Sequence, residues 1–210
     1  MISVHTSPFA MFGGRDAGGM NVYVRELSRH LVERGVAVDI YTRRTDRLSP
    51  QITPIMEGMR LIQVEAGPPH PIDKDSLFCY LPEFASDVAY LAISEGLRYD
   101  AIHAHYWLSG WAGHLLRRYI DAPLVLMFHT LAHLKNAVAQ DEHRETTLRL
   151  QVERRLVDLA DAIISANPDE REEMIHRLGA DPARIHTVPP GVDLERFRPA
   201  DGYAARHRLG

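Results

Sequence analysis

The 210-residue chain has 24 Lys and Arg residues against 28 Asp and Glu residues, a formal net charge of −4 at pH 7. A dedicated nucleic-acid-binding protein usually carries a basic excess, so this balance argues against that class. Apolar residues make up 45% of the chain, which is enough for a buried core. The single cysteine, Cys79, excludes an internal disulfide and a zinc site built from several cysteines.

No segment has the pattern of a membrane span or of a leader. The apolar runs of the chain, such as residues 124–128, are far shorter than the roughly 20 residues that cross a bilayer. The first residues have the composition of a strand, not of a charged and then apolar leader. We therefore expect a soluble, cytoplasmic protein with no stable membrane anchor and no nucleic-acid partner.

The first half of the chain alternates β-type runs with amphipathic segments. Strands are predicted at residues 2–4, from Val36 to about Thr42, and at 60–65. Apolar residues at helical spacing predict a helix from about Met20 to Gly35, and Pro82 begins another that runs to about residue 96. The stretch between the second and third strands, which contains two prolines, is predicted to be loose.

The second half is more regular. Strands are predicted at residues 101–105, 124–128, 162–165 and 185–188, and helices at 108–119, 142–159 and 167–179. Asn167 and Pro168, followed by two acidic residues, are typical of a helix N-terminus, and Gly179 is typical of a helix end.

Strands that alternate with helices at this spacing indicate right-handed crossovers and a parallel sheet covered on both faces. The predicted class is α/β, with a doubly wound, mainly parallel, Rossmann-like sheet. Residues 1–191 are predicted to form one domain, and residues 192–210 a tail that leads elsewhere.

In an open parallel sheet, ligands bind beyond the carboxyl ends of the strands. Histidines, hydroxyls and aromatic residues follow several of the predicted strands. They lie at residues 5–7, 103–107, 129–130 and 165–167. Because these strand ends meet at one edge, the sequence predicts a small-molecule cleft there.

A glycine-rich loop at residues 13–19 connects the first strand to the first helix. Glycines allow a ligand to approach the backbone, and the helix N-terminus offers free N–H groups to a phosphate. The alternative is a flexible surface turn. The spacing matches neither a dinucleotide fingerprint nor a Walker loop.

Two other patterns in the sequence are better explained without a binding site. Arg43 and Arg44 follow the second strand, where an NADP 2′-phosphate could bind, but without the fingerprint an exposed basic pair is favoured. His103, His105 and His129 could approach a metal ion, yet no acidic ligand has a matching spacing, so no metal site is predicted.

For two further cationic residues, the neighbouring sequence indicates no function. Lys74 lies in a loop between two acids, as solvated surface residues do. Arg149 lies among acidic residues on the long helix, and the interpretation without a function is a solvent-exposed helix face with charges of both signs. A membrane-binding role for the arginines between 144 and 155 is disfavoured because acids interleave with them.

Several separated motifs resemble one known family. They are SVHTSP at residues 3–8, DAGGMNVY at 16–23, HYWLSG at 105–110, HTLA at 129–132 followed by KN at 135–136, PPGVD at 189–193 and FRP at 197–199. The chain resembles the N-terminal domain of family 4 retaining glycosyltransferases, whose GT-B fold has two facing Rossmann-like domains. It is most similar to the branch of the D-inositol-3-phosphate glycosyltransferases of the mycothiol pathway, with sucrose-phosphate synthases as neighbours.

The resemblance implies roles for particular residues. Gly18 and Gly19 would lie against the diphosphate of a nucleotide-sugar donor, and His129 would act at the donor sugar as the catalytic position. Eight residues would bind the acceptor: His5, Asp16, Met20, Asn21, Lys74, Tyr106, Thr130 and Arg149. Of these, the last four would bind the acceptor phosphate. Met11 and Phe12 depart from the Gln-Pro pair of the inositol-phosphate branch.

The expected activity is transfer of a hexose, with retention, from a nucleotide-diphosphate sugar to a phosphorylated polyol or sugar. The resemblance implies no cofactor in this domain. It allows Mg²⁺ only where a C-terminal donor domain, missing from this chain, is also present. It leaves homodimer formation open. This part alone is expected to be inactive. The alternatives are a non-catalytic sugar-phosphate-binding or docking module and, ranked lower, an NADP-dependent oxidoreductase.

Overall fold

A computed structural model of the chain describes residues 1–10, 18–140, 144–195, 197–199 and 202–209. Its strands are β1 (Val38–Arg43), β2 (Ile52–Met56), β3 (Met59–Val64), β4 (Ile102–His105), β5 (Leu124–Met127), β6 (Ala162–Ser165) and β7 (Ile185–Thr187). The helices are α1 (Gly19–Val32), α2 (Lys74–Leu77), α3 (Leu81–Ser94), α4 (Trp107–Leu116), α5 (Ala132–Val138), α6 (Thr147–Leu159), α7 (Pro168–Glu173) and α8 (Gly202–Leu209).

The strands pair in two groups, in the orders β1-β3-β2 and β4-β5-β6-β7. All pairs are parallel except the one between β2 and β3. Ile2 joins the groups, because it forms parallel bridges to Tyr41 in β1 and to Ala104 in β4. The predicted strand at residues 2–4 is thus a short bridging segment in the middle of the sheet.

Alternate residues of β1 and β3 enter two different cores. Ile40 and Leu61 belong to a cluster packed against Leu31 and Val32 of α1. Tyr41 and Ile62, one position further on in each strand, belong to the main cluster, which also contains residues of α3, α4 and α6. Successive strand residues point to opposite faces, so helices cover both sides of the sheet. The predicted doubly wound α/β class is confirmed.

One predicted loop is a strand. β2 lies in the stretch that was expected to be loose, and it contains Pro54. Proline is tolerated there because β2 is an edge strand, and its register with β3 is interrupted between Pro54 and Met56. The sheet is therefore mainly parallel with one antiparallel edge.

Some element ends differ from the predicted ones. β1 begins at Val38, because the N–H of Val36 still donates to the carbonyl of Leu31 and closes α1. The long helix begins at Thr147 instead of 142, because the Thr146 hydroxyl accepts from the N–H of Arg149 and caps it. α5 was not predicted; it is only 7 residues long and half of it faces solvent.

The predicted caps of the helix after β6 are confirmed. Asn167 Oδ1 accepts a hydrogen bond from the N–H of Glu170 at 2.8 Å, and Pro168 is the first residue of α7. α7 continues into a π-helical turn that ends at Gly179, which has a φ of +78°. A left-handed residue at that position is a common helix end.

Two glycines of helix α4 face the sheet and the neighbouring helix at close range. A Cβ at Gly110 would be 2.9 Å from side-chain atoms of Leu126 and Leu156, and one at Gly113 would be 2.8 Å from Leu124. A larger residue at either position would have to displace these buried leucine side chains, so the two glycines favour the close approach of α4 to β5. Within the described ranges, no helix is both long enough and apolar enough to cross a membrane.

Candidate functional site

The carboxyl ends of the central strands carry the candidate site, as expected for a parallel sheet. Tyr106 follows β4 directly, and His129 and Thr130 follow β5 after Phe128. Tyr106 has a φ of +80° and His129 a φ of +63°, a region that non-glycine side chains rarely adopt. Strained backbone of this kind is found at functional sites, so both outliers support a site at this edge.

Tyr106 lies at the centre of a cluster of side chains at this edge of the sheet. Its ring centroid lies 4.6 Å from that of His5, in the loop after the bridging segment. Nζ of Lys74 lies 6.0 Å from the same ring centroid. Lys74 is the first residue of the short helix α2 and half-buried, so it is neither in a loop nor solvated surface as its local sequence indicated.

Arg149 is completely buried, and all three of its guanidinium nitrogens have partners. Nε donates to Glu153 at 2.7 Å, Nη1 to the Tyr106 hydroxyl at 2.8 Å, and Nη2 to the carbonyl oxygen of Thr130 at 2.7 Å and to its hydroxyl at 3.1 Å. The interpretation of Arg149 as part of an exposed face is wrong; Arg154 and Arg155 are the exposed ones.

Glu145 occupies a position between two cations. Its Oε1 lies 2.8 Å from Nη1 of Arg149 and also contacts Nζ of Lys135. Asn136 holds the backbone of residue 145, since Oδ1 accepts from its N–H at 2.6 Å and Nδ2 donates to its carbonyl at 3.3 Å. Burial alone would raise the pKa of Glu145, but Lys135 and Arg149 together lower it, so the carboxylate is charged.

Two histidines are hydrogen-bonded to each other beside this cluster. Nδ1 of His105, a fully buried residue, lies 3.0 Å from Nε2 of His129. Tyr23 of α1 packs edge-on, with its ring centroid 5.2 Å from that of His129. Burial lowers the pKa of His129 to about 4 and lowers that of His105 as well, so both rings are neutral at pH 7.

The N-terminal turn of α1 is tied to the loop that carries His5. Asn21 is 2% exposed, and its Nδ2 donates to the Thr6 hydroxyl at 2.8 Å and to the Ser7 carbonyl at 2.6 Å. Its Oδ1 accepts from the N–H of Gly18 at 3.3 Å. Asn21 therefore fixes the two segments relative to each other, whereas Met20 packs half-buried against the main core.

Gly18 and Gly19 are exposed at the start of α1. A Cβ at either position would meet nothing within 4 Å among the described residues, and neither has a positive φ. Packing and backbone strain therefore do not explain these glycines, unlike Gly110. Asp16, and the glycine loop at 13 and 14 with Arg15, lie outside the described residues.

The two alternative sites take different forms. Arg43 is buried, not exposed as expected, and its guanidinium donates to the carbonyls of Pro68 at 2.6 Å and His70 at 2.7 Å. Arg44 donates to the carbonyls of Arg47 and Ser49. Both arginines thus hold neighbouring loops in place through backbone carbonyls, which does not favour the NADP interpretation. Among the residues that the structure describes, no three His, Cys, Asp or Glu side chains are placed to hold a metal ion.

Sequence reasoning missed the acidic residues of the site. Glu145 lies four residues before Arg149, just ahead of α6, and Glu153 lies four residues after it, on the same face of that helix. Glu153 is fully buried, and its other carboxylate oxygen accepts from the N–H of Ala132 at 2.8 Å. The spacing alone could have indicated a buried ion pair.

Comparison with known proteins identifies the family of the chain. The family described as Glycosyltransferase Family 4 matches residues 17–196. A D-inositol 3-phosphate glycosyltransferase from Kineococcus radiotolerans is 45% identical over 213 residues, covering 100% of this chain and 49% of that protein.

Solved structures show the same fold. Sucrose-phosphate synthase from Thermosynechococcus elongatus superposes with a TM-score of 0.89 at 34% identity, over 99% of this chain and 51% of that one. HepE from Anabaena, solved with UDP-glucose, has a TM-score of 0.62 at 13% identity, over 99% of this chain and 48% of that one, a likeness of fold alone. The chain thus spans about half the length of each of these proteins. By sequence match and by fold, the chain belongs to Glycosyltransferase Family 4.

Proposed function

We propose that this chain is the acceptor-side half of a retaining glycosyltransferase. The enzyme would transfer a hexose from a nucleotide-diphosphate sugar to a phosphorylated polyol or sugar. One observation carries the proposal: Lys74, Tyr106, Thr130 and Arg149, from four separate segments, converge beside the strand ends. Cations and hydroxyl donors that converge in this way suit a dianionic phosphate.

In the proposed arrangement, residues 1–191 form the acceptor domain and residues 192–210 lead toward a C-terminal donor domain. The relatives named above support this division, because each is about twice as long as the chain. The donor domain would hold the nucleotide, and any Mg²⁺ with it.

The acceptor phosphate would bind between Lys74 and the hydroxyls of Tyr106 and Thr130. Arg149 has no idle nitrogen, so a phosphate reaches its guanidinium only by replacing a present partner. Glu145 is the replaceable one, because it is part-exposed and bonds through its side chain, whereas Glu153 is fully buried. The phosphate would take the place of a carboxylate, a group of like charge.

The donor would lie against α1, where Gly18 and Gly19 leave room for its diphosphate beside the helix N-terminus. His129 would contact the donor sugar. In the transfer, the bond from the anomeric carbon to the diphosphate breaks, and a bond from that carbon to an acceptor oxygen forms. The hydroxyl proton of the acceptor passes to the leaving diphosphate, while the protein supplies positioning and charge stabilisation.

Calorimetric titration of the chain tests the acceptor site. Inositol 3-phosphate, fructose 6-phosphate and inorganic phosphate would be titrated separately. We expect saturable binding of one sugar phosphate, weakened by roughly tenfold or more in Lys74→Ala, because a charged hydrogen bond is lost. Arg118→Ala removes an exposed cation after α4 and is the matched control, expected to bind as the unchanged chain does.

Binding that survives Lys74→Ala contradicts the phosphate site. If the chain alone binds none of the three, the titration is repeated on a protein extended through the donor domain, with a nucleotide sugar present. Failure of every sugar phosphate there, together with the absence of hexose transfer, rejects the proposed function.

A further inference from the structure

The pair formed by His105 and His129 carries an inference beyond the residues already assigned. His105 is the last residue of β4, and His129 follows β5, the neighbouring parallel strand. Their rings are joined between Nδ1 of His105 and Nε2 of His129 at 3.0 Å. One of these nitrogens must donate the proton and the other accept it, so the tautomers of the two rings are coupled.

We propose that His105 is a positioning residue that fixes His129 as the tautomer protonated on Nδ1, so that His129 offers an N–H donor to an oxygen of the donor sugar. The contact with the sugar rests on the proposed function, whereas the tautomer does not. His105 itself touches no substrate in this proposal and acts only through His129.

The other nitrogen of His105 decides the direction of the hydrogen bond. Nε2 of His105 is buried and has no hydrogen-bond partner among the described residues. If His129 donated, His105 would carry its proton on this nitrogen, and a buried N–H without an acceptor would result. If His105 donates from Nδ1, its Nε2 holds only a lone pair. A buried unsatisfied N–H is the rarer and costlier of the two, so His105 is the donor.

It follows that Nε2 of His129 accepts, and that its proton is on Nδ1. No described residue accepts a hydrogen bond from Nδ1 of His129, so this donor is left for a ligand. The ring is neutral at pH 7 because burial lowers its pKa to about 4, which is consistent with a fixed tautomer.

The surroundings hold His105 rigidly enough for this role. Its side chain is fully buried, and its backbone N–H donates to the carbonyl of Ile2 at 3.0 Å in the centre of the sheet. Tyr23 packs edge-on against both rings, at 6.0 Å from His105 and 5.2 Å from His129 between centroids. The strained backbone of His129, at a φ of +63°, places its ring against this partner.

Nitrogen-15 NMR of the histidine rings measures the tautomer directly in the 210-residue chain. We expect His129 as the Nδ1–H form. His105→Asn should keep that form, because the Asn amide nitrogen can donate from nearly the same place as Nδ1. His105→Leu, which removes the donor, should let His129 shift to the Nε2–H form. His176→Asn, at a side chain that is 72% exposed, is the control, and it should leave the tautomer unchanged.

An Nε2–H tautomer of His129 in the unchanged chain overturns the proposal, as does a tautomer that is the same in His105→Leu. A variant that fails to fold is recognised by its loss of dispersed NMR signals, and the unchanged chain and His105→Asn still decide the question.

The consequence for the sugar is tested separately, in the protein extended through the donor domain. His105→Leu should lower kcat roughly tenfold, as expected for one misdirected hydrogen bond, with the KM for the acceptor unchanged. His105→Asn should restore most of the activity. If the tautomer is as stated but the extended protein transfers no hexose, the proposed function fails and the histidine pairing stands.

Discussion

The carboxylate of Glu145 lies 2.8 Å from Nη1 of Arg149, a guanidinium with no solvent exposure. The same carboxylate contacts Lys135, so a single anionic side chain bridges two cations beside the proposed phosphate position. A phosphate that reaches Arg149 has to compete with this carboxylate.

Neutralising this carboxylate should improve anion binding. In Glu145→Gln, Lys135 and Arg149 keep their charge but lose the carboxylate of Glu145, and among the described residues only Arg149 retains another anionic partner, Glu153. We expect the affinity for the bound sugar phosphate to rise about 2- to 10-fold, measured by calorimetry. The matched control is Glu172→Gln, whose carboxylate pairs with Arg171 on an exposed surface. An unchanged or weaker affinity would mean that Glu145 does not compete with the phosphate.

The buried pair of Arg149 and Glu153 should be strongly coupled in stability. Arg149→Met leaves the fully buried carboxylate of Glu153 without its cation, which is expected to cost about 3–5 kcal/mol of unfolding free energy. Adding Glu153→Met should recover part of that loss, because the uncompensated charge is gone. Urea unfolding of both single variants and the double variant measures the coupling. Additive losses would show that the two side chains are independent.

The buried histidines should make the fold sensitive to acid. Burial lowers the pKa of His103 to about 3 and that of His129 to about 4, from an ordinary value of 6.5. Between about pH 6.5 and pH 4 the unfolded chain binds protons that the folded chain refuses. The unfolding free energy therefore falls with falling pH, by up to about 1.4 kcal/mol per pH unit for each histidine.

Urea unfolding at a series of pH values checks this sign. His103→Asn should reduce the slope between pH 6.5 and pH 4 and leave the slope above pH 7 unaltered. His176→Asn, at a side chain that is 72% exposed, is the control and should keep the original slope. A slope that is equal in all three proteins would contradict the assignment to His103.

Substitution by alanine should have different effects at two glycines, lowering the unfolding free energy at Gly110 and weakening donor binding at Gly19. Gly110→Ala drives a Cβ to within 2.9 Å of Leu126 and Leu156, and overpacking of this kind is expected to cost about 1–3 kcal/mol. Gly19→Ala meets nothing within 4 Å and should leave the unfolding free energy within about 0.5 kcal/mol of its original value. It should instead weaken binding of a nucleotide sugar to the extended protein. Nucleotide-sugar binding that is unaffected by Gly19→Ala would remove Gly19 from the donor site.

The parallel strands were predictable from the sequence because each is a short segment between turn residues whose apolar residues form a run or alternate with polar ones. β2 was not predicted because proline usually ends a strand, whereas Pro54 lies in an edge strand, where proline is tolerated. α5 was not predicted because its 7 residues are too few to show a helical periodicity. The histidines and hydroxyls at the strand ends were also predictable, since topology alone assigns them to one edge.

Lys74 and Arg149 could not be interpreted in the same way. In sequence, each is a charged residue among other charged residues. Their meaning arises from Tyr106 and Thr130, which lie more than a dozen residues away and reach them only once the helices are packed. The motif resemblance named these positions, but it did not reveal that Arg149 is buried and fully bonded.

The sequence by itself determined the α/β class, the family and the edge at which a ligand would bind, because apolar periodicity and local motifs can be recognised without knowing which residues are in contact. Only the tertiary structure decided which charges are compensated. Glu145, just before α6, and Glu153, within it, flank Arg149, but their effect on its charge depends on burial, and burial comes from α4, β4 and β5. The same holds for His105 and His129, since a hydrogen bond between rings 24 residues apart exists only after β4 and β5 pair.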